Sequence, residues 1–197
     1  MSQFIESIKV EDQKAFLLDL HQQRVRETFA HFGKKCCIDL EKIFKDLEHD
    51  EDGLYKLRIV YDLEGNFRAQ MLPYAFPEIE TFELVENNDF SYDFKFADRT
   101  EFEKMKKKAR AQEIIIVKNG QITDTSFSNL LFLKNQTWYT PKSFLLNGVQ
   151  RQNLLKQRKI KETEITLENL NEFSHFQLIN SMNEFNQDFV YSIEELK

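Results

Sequence analysis

Tyr92-Asp-Phe-Lys-Phe-Ala-Asp-Arg99 sets one lysine, Lys95, between two phenylalanines and ahead of an Asp-Arg pair. On a strand, Phe94 and Phe96 would share one face, and Lys95 the other with Asp93 and Ala97. Taken alone, this is most simply an exposed strand lysine. Three later segments change its meaning: Gly120-Gln-Ile-Thr-Asp-Thr-Ser-Phe-Ser-Asn129, Leu145-Leu-Asn-Gly-Val-Gln-Arg151 and Ile179-Asn-Ser-Met-Asn183. In order they supply a carboxylate (Asp124), a glycine ahead of a helix (Gly148) and an Asn-Ser pair.

An amine, an acid and a phosphate-binding turn are what pyridoxal 5'-phosphate (PLP) needs. The amine bonds its aldehyde, the acid holds its ring nitrogen, and backbone N–H groups with a hydroxyl hold its phosphate. The amine must be unprotonated for part of the cycle, which burial or a nearby positive charge secures.

Working outward, Phe4–Val10 alternates as a strand and Ala15–Leu18 continues beyond a turn. Val25, Phe29 and Phe32 recur at helical spacing and predict a helix over His21–Phe32, closed by Gly33. A second helix is expected over Ile38–Leu47. Leu54–Leu63 and Asn66–Pro73 form a hairpin about Glu64-Gly65, and Phe82–Val85 is a strand. Past Lys95 come a helix (Arg99–Arg110) and a strand (Glu113–Lys118). Asn119-Gly120 is a tight turn, leading to strands over Gln121–Asp124, Asn129–Leu133 and Thr137–Thr140. A helix over Arg151–Lys156, a strand over Ile160–Ile165, a helix over Leu167–Phe173, a strand over Phe176–Ile179 and a last short strand complete the chain. The pattern is α+β to α/β. A boundary near Phe90–Phe94 predicts a small N-terminal α+β domain (residues 1–92) and a larger C-terminal one (residues 93–197).

The 197 residues suffice for two small domains with real cores. Nineteen phenylalanines imply an aromatic-rich core or a face covered by a second subunit. A net charge of −6 argues against nucleic acid, and the one basic run, Lys104–Arg110, reads as a solvated helix face. No apolar run suits a signal peptide or membrane span, so a cytoplasmic protein is expected. Adjacent Cys36 and Cys37 suit neither a redox pair nor zinc, and His21, His31, His49 and His175 show no metal-ligand spacing, so no metal is expected.

The order and spacing of these segments resemble the class IV aminotransferase family over about Phe4 to Asn183. That family includes D-amino acid and branched-chain aminotransferases and 4-amino-4-deoxychorismate lyase. The resemblance implies the D-amino acid aminotransferase-like PLP fold with a mixed, barrel-like C-terminal domain, PLP as cofactor, and a homodimer acting on a small amino substrate. Lys95 to Arg99 is similar to the family's Lys-x-x-(Asn/Asp)-Arg, which makes Lys95 the catalytic lysine. Ile122-Thr-Asp with Asn129 resembles Val-Thr-Glu-x-x-x-x-Asn, which sets Asp124 against the ring nitrogen with one methylene fewer. Gly148-Val149-Gln150 stands where the family has Gly-Ile-Thr, losing a hydroxyl but keeping backbone donors.

Ser181 matches a second phosphate hydroxyl. Arg24, in His21-Gln-Gln-Arg24, matches the phosphate-gripping arginine of His-x-x-Arg. Ser7, in Phe4-Ile-Glu-Ser-Ile8, stands at the threonine of Phe-Glu-Thr-Ile, and with Arg99 and Asn180 is a candidate for substrate contact. From the residues alone, Arg24 reads first as a surface arginine on an amphipathic helix; Asp124 reads also as a capped turn, and Ser7 equally as a solvent-facing serine. Family members usually carry a further N-terminal hairpin, so this chain resembles a short member. The Lys-x-x-Asp-Arg and Ile-Asn-Ser segments lean to the lyase, which yields 4-aminobenzoate and pyruvate for the folate pathway. The alternatives are an aminotransferase of the same fold and a non-catalytic relic.

Overall fold

The structure, a computed structural model, describes residues 2–48, 52–186 and 189–196; His49 lies outside them. The chain divides into two compact units: Met1–Phe76 with Phe94–Asp98, and Pro77–Asp93 with Arg99–Lys197.

In the first unit, β1 (Phe4–Glu11) buries every second residue, with Phe4, Glu6, Ile8 and Val10 inward. This is the period-2 consequence of a sheet with one covered face. β2 (Lys14–Ala15) pairs with the end of β1. α1 (Leu18–His31) and α2 (Leu40–Lys45) follow, then the hairpin β3 (Leu54–Tyr61) and β4 (Phe67–Pro73). The antiparallel sheet runs β2-β1-β3-β4. Val25 and Phe29 of α1 and Leu40 and Ile43 of α2 pack on Phe4, Ile8, Leu57, Ile59 and Tyr61. Each such buried side chain contributes about 1.5–3 kcal/mol.

α2 is shorter than its apolar pattern suggests. The Asp39 carboxylate accepts from the Lys42 N–H at 3.0 Å and sets the helix start after Ile38. The hairpin turn is held by Asp62, whose Oδ1 accepts from the N–H groups of Glu64 and Asn66.

Phe94–Asp98 belongs to this unit because β2 covers only Val10 and Glu11 of β1, leaving the start of that edge unpaired. There the Ile5 N–H donates to the Lys95 carbonyl at 2.9 Å, and the Ala97 N–H to the Gln3 carbonyl at 2.8 Å. The expected strand is reduced to one bridge, Phe4 to Phe96. Phe96 stacks on Phe4 with centroids 5.2 Å apart, and Phe94 packs on His31 and Phe32.

The second unit holds β5 (Phe82–Glu86), α3 (Thr100–Lys108), β6 (Glu113–Lys118), β7 (Gln121–Thr125), β8 (Asn129–Lys134), β9 (Thr137–Pro141), α4 (Val149–Lys156), β10 (Lys161–Thr163), β11 (His175–Ile179) and β12 (Tyr191–Ser192). β5 and β6 are parallel, β6 and β7 antiparallel, and the three form one sheet; the other runs β10-β9-β8-β11-β12. Ile114–Val117 is fully buried, as expected of a continuous apolar run. Asn119 and Gly120 both have positive φ, 51° and 73°, as a two-residue turn of this hand requires.

The helix expected over Leu167–Phe173 is one 3-10 turn, Leu170–Glu172. The Asn169 side chain instead accepts from the Thr166 N–H and donates to the Glu164 carbonyl, a local alternative to helix. The α+β architecture forms as expected, with the second unit's strands in two sheets and no closed barrel among the described residues. No helix among the described residues is long and apolar enough to cross a membrane.

Candidate active site

Glu6 is fully buried, because β1 alternates and position 6 falls inward. Its carboxylate is met from α1 by two side chains one helical turn apart. Arg24 donates Nε to Oε1 at 2.9 Å and Nη2 to Oε2, a two-pronged grip, and His21 Nδ1 lies 2.5 Å from Oε2. Arg24 is therefore not a surface arginine: it is 9% exposed and balanced by Glu6. Burial alone would raise the Glu6 carboxyl, but the Arg24 charge and the His21 hydrogen bond and charge bring it to about 2. Burial holds the His21 imidazole below its usual range, and the Arg24 and Lys95 charges add to this against the pull of Glu6. Its Nε2 is buried without a hydrogen-bond partner among the described residues. The Lys95 charge thus bears on a neutral histidine. Lys95 itself is half-buried, and Ser7 is half-buried on the face of β1 opposite Glu6.

In the second unit, Asp124 near the end of β7 is 5% exposed, with three N–H groups converging on it. Asn129 Nδ2 donates to Oδ1 at 2.8 Å, and the Leu145 and Leu146 N–H groups each donate to Oδ2 at 2.9 Å. A carboxylate has about four acceptor positions, so one on Oδ1 is left for a further N–H. Burial pushes the Asp124 carboxyl up to about 6, against those three donors and the Arg151 charge. The group is still ionised at neutral pH.

Asn129 is the hub of this region. Besides Asp124, its Nδ2 donates to the Leu146 carbonyl at 2.8 Å, which ties β8 to the loop before α4. That loop delivers Gly148, the residue ahead of α4. A Cβ on Gly148 would stand 2.1 Å from Asn129 Oδ1. The Gly148 cap adds no side-chain hydrogen bond, and the N–H groups of Val149 and Gln150 have no partner among the described residues. Open donors at a helix start, beside a buried acid with one open acceptor position, fit PLP's phosphate and ring nitrogen.

Gly148→Ala is therefore expected to displace Asn129 and lower stability by about 1–3 kcal/mol, and to weaken PLP binding. Urea denaturation and a PLP titration check both. A variant matching wild type in both would show that Asn129 tolerates the methyl.

The turn after Asp124 is held from several sides. Glu113, fully buried and paired with Lys106 at 2.7 Å, accepts from the Ser126 N–H at 2.9 Å. Arg99 donates to the Ser126 carbonyl while stacking on Tyr92 and Phe102. Asn180 Nδ2 donates to Ser128 Oγ at 2.9 Å, and its Oδ1 accepts from the N–H groups of Met182 and Asn183. Arg99 and Asn180 thus brace the Asp124 loop, and half-buried Ser181 follows Asn180 in the same corner.

Asp124, Gly148, Val149 and Gln150 are brought together in the second unit; Lys95 and Arg24 both lie in the first, where the Lys95 charge reaches His21 beside Arg24, with Ser7 on the other face of its sheet. Sequence reasoning passed over Glu6, His21 and Glu113. For Glu6 a signal existed: it is an acid at an inward position of an alternating strand.

The amino-transferase class IV family model matches residues 3–186. An uncharacterized protein of Haemophilus influenzae is 31% identical over 187 residues, covering 93% of this chain and 99% of that one. A Haemophilus somnus structure provisionally named 4-amino-4-deoxychorismate lyase superposes with a TM-score of 0.87 at 34% identity, covering 94% of this chain and 98% of that one. A PLP-bound structure of a hypothetical aminotransferase from Mycobacterium tuberculosis gives a TM-score of 0.72 at 15% identity, covering 92% and 78%, a likeness of fold alone.

Proposed function

Since the chain belongs to the class IV aminotransferase family, whose members depend on PLP, we propose that it is a PLP-dependent lyase that converts 4-amino-4-deoxychorismate to 4-aminobenzoate and pyruvate. The observation that carries this reading is the buried Asp124 carboxyl, held by three N–H donors, beside the open N–H groups of Val149 and Gln150. When bound, PLP supplies an aldehyde that condenses with amines and a protonated ring that draws electrons from the adjacent carbon.

The residues divide that work. Lys95 would hold the cofactor through its amine, give way to the substrate amine, and then carry a proton to and from the substrate. Asp124 would accept the ring N–H and keep it protonated. The N–H groups of Val149 and Gln150, with Ser181 and Arg24, would hold the phosphate. Glu6 offsets the Arg24 charge within its unit, so its role there is placement of the guanidinium more than net charge. Ser7 is the candidate hydroxyl beside the substrate.

Purified protein supplied with PLP and 4-amino-4-deoxychorismate should release pyruvate with no 2-oxo acid present. If instead nothing is released until a 2-oxo acid is added, and branched-chain or D-amino acids serve as donors, the chain is an aminotransferase. Protein that takes up no PLP and stays colourless would overturn both. A homodimer and a cytoplasmic location accompany the proposal, and gel filtration with light scattering tests the former.

A further inference from the structure

Two of the chain's five glycines follow an asparagine, at Asn119-Gly120 and Asn147-Gly148. This dipeptide carries a chemistry of its own. The glycine amide nitrogen has no side chain beside it, so it can attack the asparagine side-chain carbonyl and close a five-membered imide.

The surroundings of the two asparagines differ. Asn119-Gly120 is clamped in its turn: the Asn119 N–H donates to Asn88 Oδ1 at 2.6 Å, and the Gly120 carbonyl accepts from the Leu167 N–H at 3.0 Å. Its neighbour Lys118 is taken by the Phe90 carbonyl at 2.7 Å. Asn147, by contrast, is exposed, and Arg151 Nη1 donates to its Oδ1 at 3.2 Å. That bond draws electrons from the carbonyl carbon and meets the oxygen on which negative charge grows during attack. The Gly148 N–H has no partner among the described residues. It stands immediately ahead of α4, where the helix N-terminus and the Arg151 charge both favour loss of its proton. Residue 148 is also confined to glycine, because Asn129 Oδ1 fills the place of a Cβ. The residue that the turn needs is the one that leaves Asn147 reactive.

We propose that Asn147 is a self-modification site whose product closes the start of α4 to anions. The Gly148 nitrogen loses its proton and bonds to Asn147 Cγ. The Cγ–Nδ2 bond breaks, and Nδ2 leaves with that proton as ammonia. Water then opens the imide at one carbonyl or the other, which leaves aspartate or isoaspartate at 147. Asn147 already reaches Arg151, one turn along the chain. Either product therefore sets a fixed negative charge over the first turn of α4, beside the N–H groups of Val149 and Gln150. The effect on PLP rests on the functional reading above; the conversion rests on this turn alone.

The test holds full-length protein, folded and in urea, in mildly alkaline buffer made with heavy-oxygen water and maps its peptides by mass spectrometry. In the folded protein Asn147 should convert at least ~10-fold faster than Asn119, with isoaspartate among its products. In urea the two rates should come together. Equal rates in the folded protein, an Asn147 that reacts more slowly folded than in urea, or aspartate as its sole product overturns the proposal. Asn147→Asp installs one product directly at an exposed position. It should bind inorganic phosphate and PLP at least ~5-fold more weakly than wild type, read by calorimetry and visible absorbance, while Asn147→Gln should bind both as wild type does. Asn147→Asp that matches wild type overturns the closure. Colourless wild type whose Asn147 still outpaces Asn119 removes the PLP reading and leaves the modification site; coloured protein whose two asparagines keep pace does the reverse.

Discussion

Alanine at position 95 is expected to leave a folded protein that gains no visible absorbance with PLP and releases no pyruvate. The fold should survive because this segment is held by its backbone. The Lys95 carbonyl accepts from the Ile5 N–H and the Ala97 N–H reaches the Gln3 carbonyl, and alanine keeps both. Phe94 and Phe96 remain packed against the core of their unit. The amine is another matter: no other side chain in the segment can bond the cofactor aldehyde, so the loss should be total where removal of a binding group would only raise KM. Far-UV circular dichroism and the visible spectrum, taken on one sample, separate folding from chemistry. Turnover equal to wild type in Lys95→Ala would sink the assignment.

Glu6→Gln is expected to be the most destabilising of the substitutions considered, by ~3–5 kcal/mol, because it leaves Arg24 and His21 facing an uncharged amide in a buried place. Bidentate geometry makes the effect large: both carboxylate oxygens are in use, and one would become an N–H group pointing at donors.

The same cluster predicts acid sensitivity. Glu6 is held at about 2 in the folded chain against an ordinary 4.5. Its stabilisation is thus present above pH 4.5 and lost as the pH falls from there toward 2; by linkage it amounts to ~3 kcal/mol. His21 acts in the same direction. Its folded pKa is depressed, so the unfolded chain takes up that proton first, and stability already begins to fall as the pH drops below 6.5. Asp124 opposes them: its carboxyl is raised to about 6, so the folded chain binds that proton first, which favours folding as the pH falls through 6. Because Asp124 lies in the other compact unit, probes reporting on each unit should separate the trends. Urea midpoints read from the first unit should fall from pH 4.5 toward pH 2 in wild type, with a shallower fall over that range in Glu6→Gln. Parallel profiles for the two proteins would mean that Glu6 is not the titrating group.

Much of the scaffold was legible because it follows from local rules. The alternation of Phe4–Val10 puts positions 4, 6, 8 and 10 on one face by the period of a strand alone, and Asn119-Gly120 announces its turn. The failures were also local in origin. Asn169 competes with the helix backbone over Leu167–Phe173, and Asp39 moves the start of α2.

The candidate site was legible only as an order of segments. Asp124 and Gly148 were named, but not their link through Asn129, whose amide oxygen lies where a side chain on Gly148 would have to be. Arg24 was named without its partner, because Glu6 lies 18 residues away on another element.

By itself the sequence determined the period of each strand, the turns, and the succession of an amine, an acid and a glycine-led helix start, since each depends on neighbours in the chain. The tertiary structure alone decided that Phe94–Asp98 returns to the edge of β1 and that Glu6 offsets Arg24. Those outcomes depend on which distant groups share a dry interior or a strand edge, and burial and pairing are properties of the assembled chain.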